Sequence, residues 1–244
     1  MSFVVFTGCH LFGAMYGDKR STSDNAETVS ENVQKVKRIN NNVITCAGGH
    51  SALINVLWKP IFYSPALPTL TYKQTVELIS KKYLNISDEL KELSKEHSDL
   101  TANIGVCGRS NGYIKFTLIE VGKSINVKET IHKTENDDVT MCFLAQGQLH
   151  LGNIYKNLFY KTPVFSSENL KSIFYQTLKK GIKLGDSSIN DNFDCEVIYL
   201  HDLSNELKEN NVLWGKVNTA EFWNPDKNKI IFKERTDSDN GVIK

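Results

Sequence analysis

Ser2 follows the initiator methionine, and its small side chain makes Met1 a substrate for methionine aminopeptidases. After that removal the chain would open on a serine carrying two useful groups. The hydroxyl is a nucleophile, and the α-amine of the same residue, with an ordinary pKa of about 7.7–8.0, can take its proton. Asp18 and Lys35 supply a carboxylate and an amine downstream. A lysine held beside an aspartate and partly desolvated lowers the cost of ionising a nearby hydroxyl. Gly48-Gly49 closes an apolar run just before a helical pattern. Backbone N–H groups at such a junction can face a developing oxyanion, and glycine admits close approach. Together these residues describe acyl transfer: attack on a carbonyl, a covalent acyl-enzyme, and release by water. Taken singly they are ordinary, with Ser2 a processing residue, Asp18 a turn residue and Lys35 a surface lysine.

The elements that would have to bring them together can be read from periodicity. Phe3–Phe6 and Gly13–Tyr16 are apolar runs joined by a short connection, a β-hairpin that returns Asp18 to the end where Ser2 begins. Val36–Ile39 and Val43–Cys46 flank Asn40-Asn41-Asn42, a turn. Helical spacing follows over His50–Trp58 and stops at Pro60, and Pro60–Pro68 reads as a loop. From Thr71 to about His97, Val76, Ile79, Tyr83, Ile86 and Leu90 form one apolar face. Charges of both signs on the other face read as solvated. Strands are predicted at Asn103–Cys107, Tyr113–Val121, Ile125–Thr130 and Val139–Leu144, then helices at Leu149–Tyr160 and Ser167–Leu184, then a strand at Asp194–Leu200. The tail predicts strands near Val212–Trp214 and Lys229–Phe232 and a polar end.

Strands gathered in blocks argue against a doubly wound parallel sheet. They suit an α+β fold, a four-layer αββα sandwich of two antiparallel sheets flanked by helix pairs. The expected division is one domain over 2–200 and a C-terminal extension over 201–244.

Composition excludes several classes. Twenty-nine basic against 28 acidic residues leave a net charge of +1, with no bulk attraction to nucleic acid or to an anionic membrane. No apolar run reaches the roughly 18 residues of a membrane span, and the N-terminus lacks a secretory pattern, so a cytoplasmic protein is expected. The five cysteines lie far apart without CxxC, and the six histidines are equally scattered; neither a disulfide frame, a metal site nor a cofactor is expected. GxGxxG, the Walker loop and GxSxG are absent. Cys9-His10 cannot pair directly, because strand neighbours face opposite ways.

The segments Gly17-Asp18-Lys19-Arg20-Ser21-Thr22, Asn32-Val33-Gln34-Lys35-Val36-Lys37-Arg38-Ile39 and Val43-Ile44-Thr45-Cys46-Ala47-Gly48-Gly49 resemble the proteasome β-subunit family of N-terminal nucleophile hydrolases, and within it the bacterial HslV-type peptidases. The resemblance is specific over residues 2–58 and diffuse beyond. It implies Ser2 as nucleophile, Asp18 and Lys35 as its catalytic partners, and Gly48 or Gly49 as oxyanion donor. Arg20, Gln146, Asp186 and Ser188 would support the site, and Cys46 and His50 would border the substrate pocket. Serine replaces the family's threonine, and Gln146 stands where the family has a serine beside the terminal amine. Two alternatives stay open among these residues. Cys46 is either pocket wall or core, and Asp186 with Ser188 either caps a helix end or supports the Ser2 amine. The implied partners are a peptide or unfolded protein as substrate, further copies of the chain in a ring, and an ATP-dependent unfoldase. The rival functions are a non-catalytic ring or scaffold subunit and a small-amide acylase or ligase.

Overall fold

A computed structural model describes residues 3–10, 12–22, 28–96, 100–132, 140–144, 149–162, 167–200, 219–224 and 229–234. The alternation of the first hairpin sets the layers. Strand β1 (Val4–Gly8) pairs antiparallel with β2 (Phe12–Asp18), with Gly8 opposite Gly13 and Val4 opposite Gly17. Successive side chains of a strand point to opposite faces. Phe12, Ala14 and Tyr16 therefore fall on one face, in a core shared with helices, while Val4, Phe6 and Met15 fall on the other, in the core between the sheets.

A short ribbon, β3 (Ser21–Thr22) with β4 (Thr28–Ser30), precedes β5 (Val36–Asn40) and β6 (Val43–Gly49). After helix α1 (Ser51–Leu57) and helix α2 (Tyr72–Glu96) come β7 (Ala102–Ser110), β8 (Tyr113–Val121), β9 (Ile125–His132) and β10 (Thr140–Phe143). Helices α3 (Leu149–Lys161) and α4 (Ser167–Lys183) follow, then β11 (Phe193–Tyr199). One sheet has the order β10-β1-β2-β11 and the other is the meander β5-β6-β7-β8-β9. Leu151, Tyr155, Phe159, Phe174 and Leu178 of α3 and α4 pack on the first sheet, and Leu53, Leu57, Ile79, Tyr83 and Leu90 of α1 and α2 on the second. The result is the four-layer αββα sandwich. No helix among the described residues is long and apolar enough to cross a membrane.

The apolar face read over 71–97 is the buried one, with Ile79, Tyr83 and Leu90 inside and Lys81, Glu89 and Lys91 exposed. Three details depart from the pattern reading. The segment after α1 is not plain loop but two 3₁₀ turns, Lys59–Tyr63 and Leu67–Thr69, each with proline near its start, where a missing N–H costs nothing. Asn40 Nδ2 holds this segment on β5 by donating to the Leu67 and Leu70 carbonyls at 3.2 and 2.8 Å. The ribbon β3–β4 gave no signal because its strands are very short and all but Val29 of their residues are Ser or Thr. In the tail, β12 (Thr219–Asn224) pairs antiparallel with β13 (Lys229–Glu234). The expected strand near Val212–Trp214 lies outside the described residues, and 219–224 had not been expected.

Candidate active site

Asp18 ends β2 and is fully buried; Lys35 sits just ahead of β5 with its side chain 4% exposed. Lys35 Nζ donates to Asp18 Oδ1 at 2.9 Å and also to the Arg20 carbonyl. Asp18 Oδ1 accepts in addition from the Phe3 N–H at 2.7 Å, and Oδ2 accepts from the Arg20 N–H at 3.0 Å. Sequence distance collapses here because the hairpin returns β2 beside the start of β1, while Gly17 lets the second sheet approach. A Cβ on Gly17 would lie 3.0 Å from Val36 Cγ2 and 3.1 Å from Lys35 Cβ. Burial dominates the ionisation of both groups. It pushes the Asp18 carboxyl above its usual range against the pull of Lys35 and the two N–H donors, and it pushes the Lys35 ammonium below its usual range against the pull of Asp18. A lysine whose charged form is disfavoured is closer to acting as a proton acceptor than a surface lysine is.

Gly48 and Gly49 differ in what they can offer. A Cβ at 48 would come within 2.8 Å of the Leu144 carbonyl oxygen, so this glycine lets β6 pass close to the end of β10. Gly49 has φ +115°, and a Cβ there would meet the Thr101 oxygen at 2.6 Å. In the β6–β7 ladder Gly48 is opposite Asn103 and Gly49 opposite Ala102, and His50 N donates to Thr101 O at 2.8 Å. Bonded and non-bonded pairs alternate in an antiparallel ladder. The Gly48 N–H is therefore turned toward β7, and the Gly49 N–H toward the other edge of β6. On that edge Ala47 N donates to the Lys35 carbonyl at 2.9 Å.

Arg20 links this centre to the loop after α4. Its guanidinium donates to the Ser187 carbonyl at 2.7 Å and pairs with Glu31 at 2.9 Å. The end of α4 is capped by backbone: Asp186 N donates to Gly181 O and Gly185 N to Ile182 O, with Gly185 at φ +89°. The Asp186 carboxylate is not used for that cap. Its Oδ1 accepts from Ser188 N at 2.9 Å and from Ser188 Oγ at 2.6 Å, and its Oδ2 lies 3.0 Å from His150 Nε2, close enough for an ion pair but not aligned as a hydrogen bond. An open cavity of about 480 Å³ borders this loop and is lined by Arg20, Lys179, Asp186 and Ser187, among others; Asp18 and Lys35 do not line it.

Cys46 is fully buried between the sheets and its thiol is pushed well up by burial, which is the core placement. His50 caps α1, its Nδ1 accepting from Ala52 N at 3.3 Å. Ser2 and Gln146 lie outside the described residues. Sequence reading missed His150, whose approach to Asp186 joins α3 to the loop after α4, and Asp194, which neighbours Lys19 across 3.1 Å. Only the alternation along β11 carried a signal for Asp194.

No family model matches the chain, and no curated protein sequence matches it. Among solved structures, eukaryotic HslV from Trypanosoma brucei matches with a TM-score of 0.51 at 16% identity, over 81% of this chain and 99% of that one. At this identity the likeness is one of architecture, and it agrees with the layers and strand orders above. The chain has the αββα fold of the proteasome-like N-terminal nucleophile hydrolases.

Proposed function

We propose that the chain is a proteasome-like N-terminal serine peptidase, with Ser2 as nucleophile once Met1 is removed. One observation carries the reading. The Phe3 N–H rests on Asp18 Oδ1 at 2.7 Å, the same oxygen that accepts Lys35 Nζ at 2.9 Å. Ser2 is bonded to that nitrogen, so a buried lysine–carboxylate pair stands one residue from the proposed nucleophile. Ser2 Oγ attacks a peptide carbonyl and its proton passes to the Ser2 α-amine. Lys35 stabilises the developing alkoxide, and Asp18 holds Lys35 in place. The N–H of Gly49, turned away from β7, receives the oxyanion, while Gly48 gives the close approach between the sheets. Arg20, Asp186, Ser188 and Gln146 support the terminal amine, and His50 borders the pocket. Water then releases the acyl group.

The same reading places the domain over 2–200 with 201–244 as its extension. It makes the protein a cytoplasmic homo-oligomeric ring that takes peptides or unfolded chains, with an ATP-dependent unfoldase as a partner. The test begins with intact mass, since an N-terminal nucleophile requires Met1 gone. Processed protein should then label at Ser2 with a serine-directed electrophile and turn over members of a fluorogenic peptide panel, and Ser2→Ala should do neither. Processed protein that neither labels nor cleaves, with Ser2→Thr equally inert, overturns the peptidase in favour of a scaffold subunit.

A further inference from the structure

Asp194 was not among the residues that the chemistry called for, yet its backbone position puts it on the face of the first sheet that meets the second, where Lys35 lies. It lies directly opposite Gly17 in the β2–β11 pairing, and opposite residues of an antiparallel pair share a face. Gly13 and Met15, on the Gly17 side of β2, face the second sheet, and so does Ile198, opposite Gly13. The vacant face of Gly17 is where Lys35 Cβ packs, 3.1 Å from a built Cβ. Asp194 and Lys35 thus both border Gly17, Asp194 by strand pairing and Lys35 by close packing.

A second contact fixes the two strands concerned. Arg38 of β5 donates from Nε to Glu196 Oε2 at 2.9 Å and from its terminal nitrogen to the Val197 carbonyl at 2.6 Å. Glu196 and Asp194 are two apart on β11 and so face the same way. Asp194 Oδ1 pairs with Lys19 Nζ at 3.1 Å, its side chain 16% exposed, and Oδ2 is buried with no hydrogen-bond partner among the described residues. Lys19 itself is pinned, its N–H donating to the Asn192 carbonyl at 3.0 Å and its carbonyl accepting from Val33 N at 2.8 Å.

We infer that Asp194 and Lys19 form a positioning pair that sets the charge state of Lys35 from across Gly17; this role rests on the reading of Lys35 as part of the reacting site. Among the described residues, the charges that bear on Lys35 are Asp18 from β2 and Asp194 from β11; Lys19 lies 3.1 Å from Asp194, and Arg20, whose carbonyl accepts from Lys35, has its guanidinium engaged by Glu31. The attraction of Asp194 opposes burial and favours the ammonium. Lys19 partly neutralises Asp194, so the two residues act on Lys35 with opposite signs. A merely structural pair would not have that property, because losing either partner would loosen the same contact.

The experiment follows Lys35 itself, since the α-amine of a processed Ser2 also titrates. Lysine-labelled full-length protein is titrated from about pH 6 to pH 11 by NMR, with the Lys35 signal assigned by its loss in Lys35→Arg. Asp194→Asn should lower the Lys35 midpoint by about one pH unit, the low end of the effect of a nearby opposite charge. Lys19→Met should raise it, and Asp194→Glu should restore the wild-type value. The falling limb of kcat/KM should move in the same directions, because the charged form of Lys35 is the one that stabilises the alkoxide. If Asp194→Asn folds and leaves the midpoint in place, or if both variants move it the same way, the inference is overturned. If Asp194→Asn does not fold, Lys19→Met and Asp194→Glu decide, and an unchanged midpoint in Lys19→Met overturns it. A wild type with free Ser2 that cleaves nothing overturns the peptidase instead, and the two failures are read on separate axes.

Discussion

Two buried polar contacts in this molecule sit in very different surroundings. In the helix-facing core, Thr7 Oγ1 and Tyr155 Oη share a hydrogen bond of 2.9 Å among Phe3, Phe143, Phe159 and Phe174. At the end of the sheets, Asp18 and Lys35 are as deeply buried but carry opposite charges. A neutral pair of hydroxyls loses little on burial when it is satisfied. A buried ion pair loses several kcal/mol of hydration per ion by rough reckoning and regains it only through good geometry and extra hydrogen bonds. The Phe3 and Arg20 N–H groups on Asp18 provide such bonds, yet burial still governs the direction in which both ionisations move. The first contact is what a core needs for stability alone. The second is the one that the proposed reaction would use.

The comparison can be broken most sharply at the nucleophile. Ser2→Ala in processed protein should abolish peptide turnover while leaving the thermal midpoint within about 1 °C of wild type, since the change removes one hydroxyl and replaces no member of either buried pair. Next comes Lys35→Ala, expected to cost about 10²-fold or more in kcat/KM, the range for losing a group that stabilises developing charge. It should also cost about 3–5 kcal/mol in denaturant unfolding, because it strands a buried carboxylate. The double change Asp18→Leu with Lys35→Met should recover most of that stability while remaining inactive. Recovery of stability together with activity would remove the functional reading of the pair.

The acid–base signs sharpen the point. Asp18 is raised in the folded chain, so its contribution to stability is present below its unfolded value and is lost as pH rises through its folded value. Lys35 is depressed, so its contribution is present above its unfolded value and is lost as pH falls through its folded value. Wild type compared with the double variant should therefore be relatively least stable between the two windows and gain toward both acid and alkali. Urea unfolding across pH measures this, and a flat difference would contradict it. The smallest effect belongs to the neutral contact: Tyr155→Phe should cost about 1 kcal/mol with no change in the pH profile of either stability or turnover.

Much of this was legible along the chain because a strand or helix has one period, and burial follows it. The face of α2 and the strands β5 to β8 could be located from apolar spacing. Asp18, Lys35 and the Gly48-Gly49 pair could be picked out by type and order. The polar ribbon β3–β4 could not, since nothing in its composition distinguishes it from loop. Nor could the two 3₁₀ turns be told from the loop that the three prolines of 60–68 suggested.

What the sequence by itself determined is the alternation along the strand, which puts Gly13, Met15 and Gly17 on one face and Phe12, Ala14 and Tyr16 on the other. Only the tertiary structure decided what meets each face. Gly17 came to lie against Lys35 and opposite Asp194, residues far apart in the chain, because two sheets stack across it. Antiparallel pairing with β7 decided which glycine N–H of the Gly48-Gly49 pair is turned away from the ladder. Periodicity is a local property of the backbone, whereas a charge state depends on every group within a few ångströms, and folding alone assembles those groups.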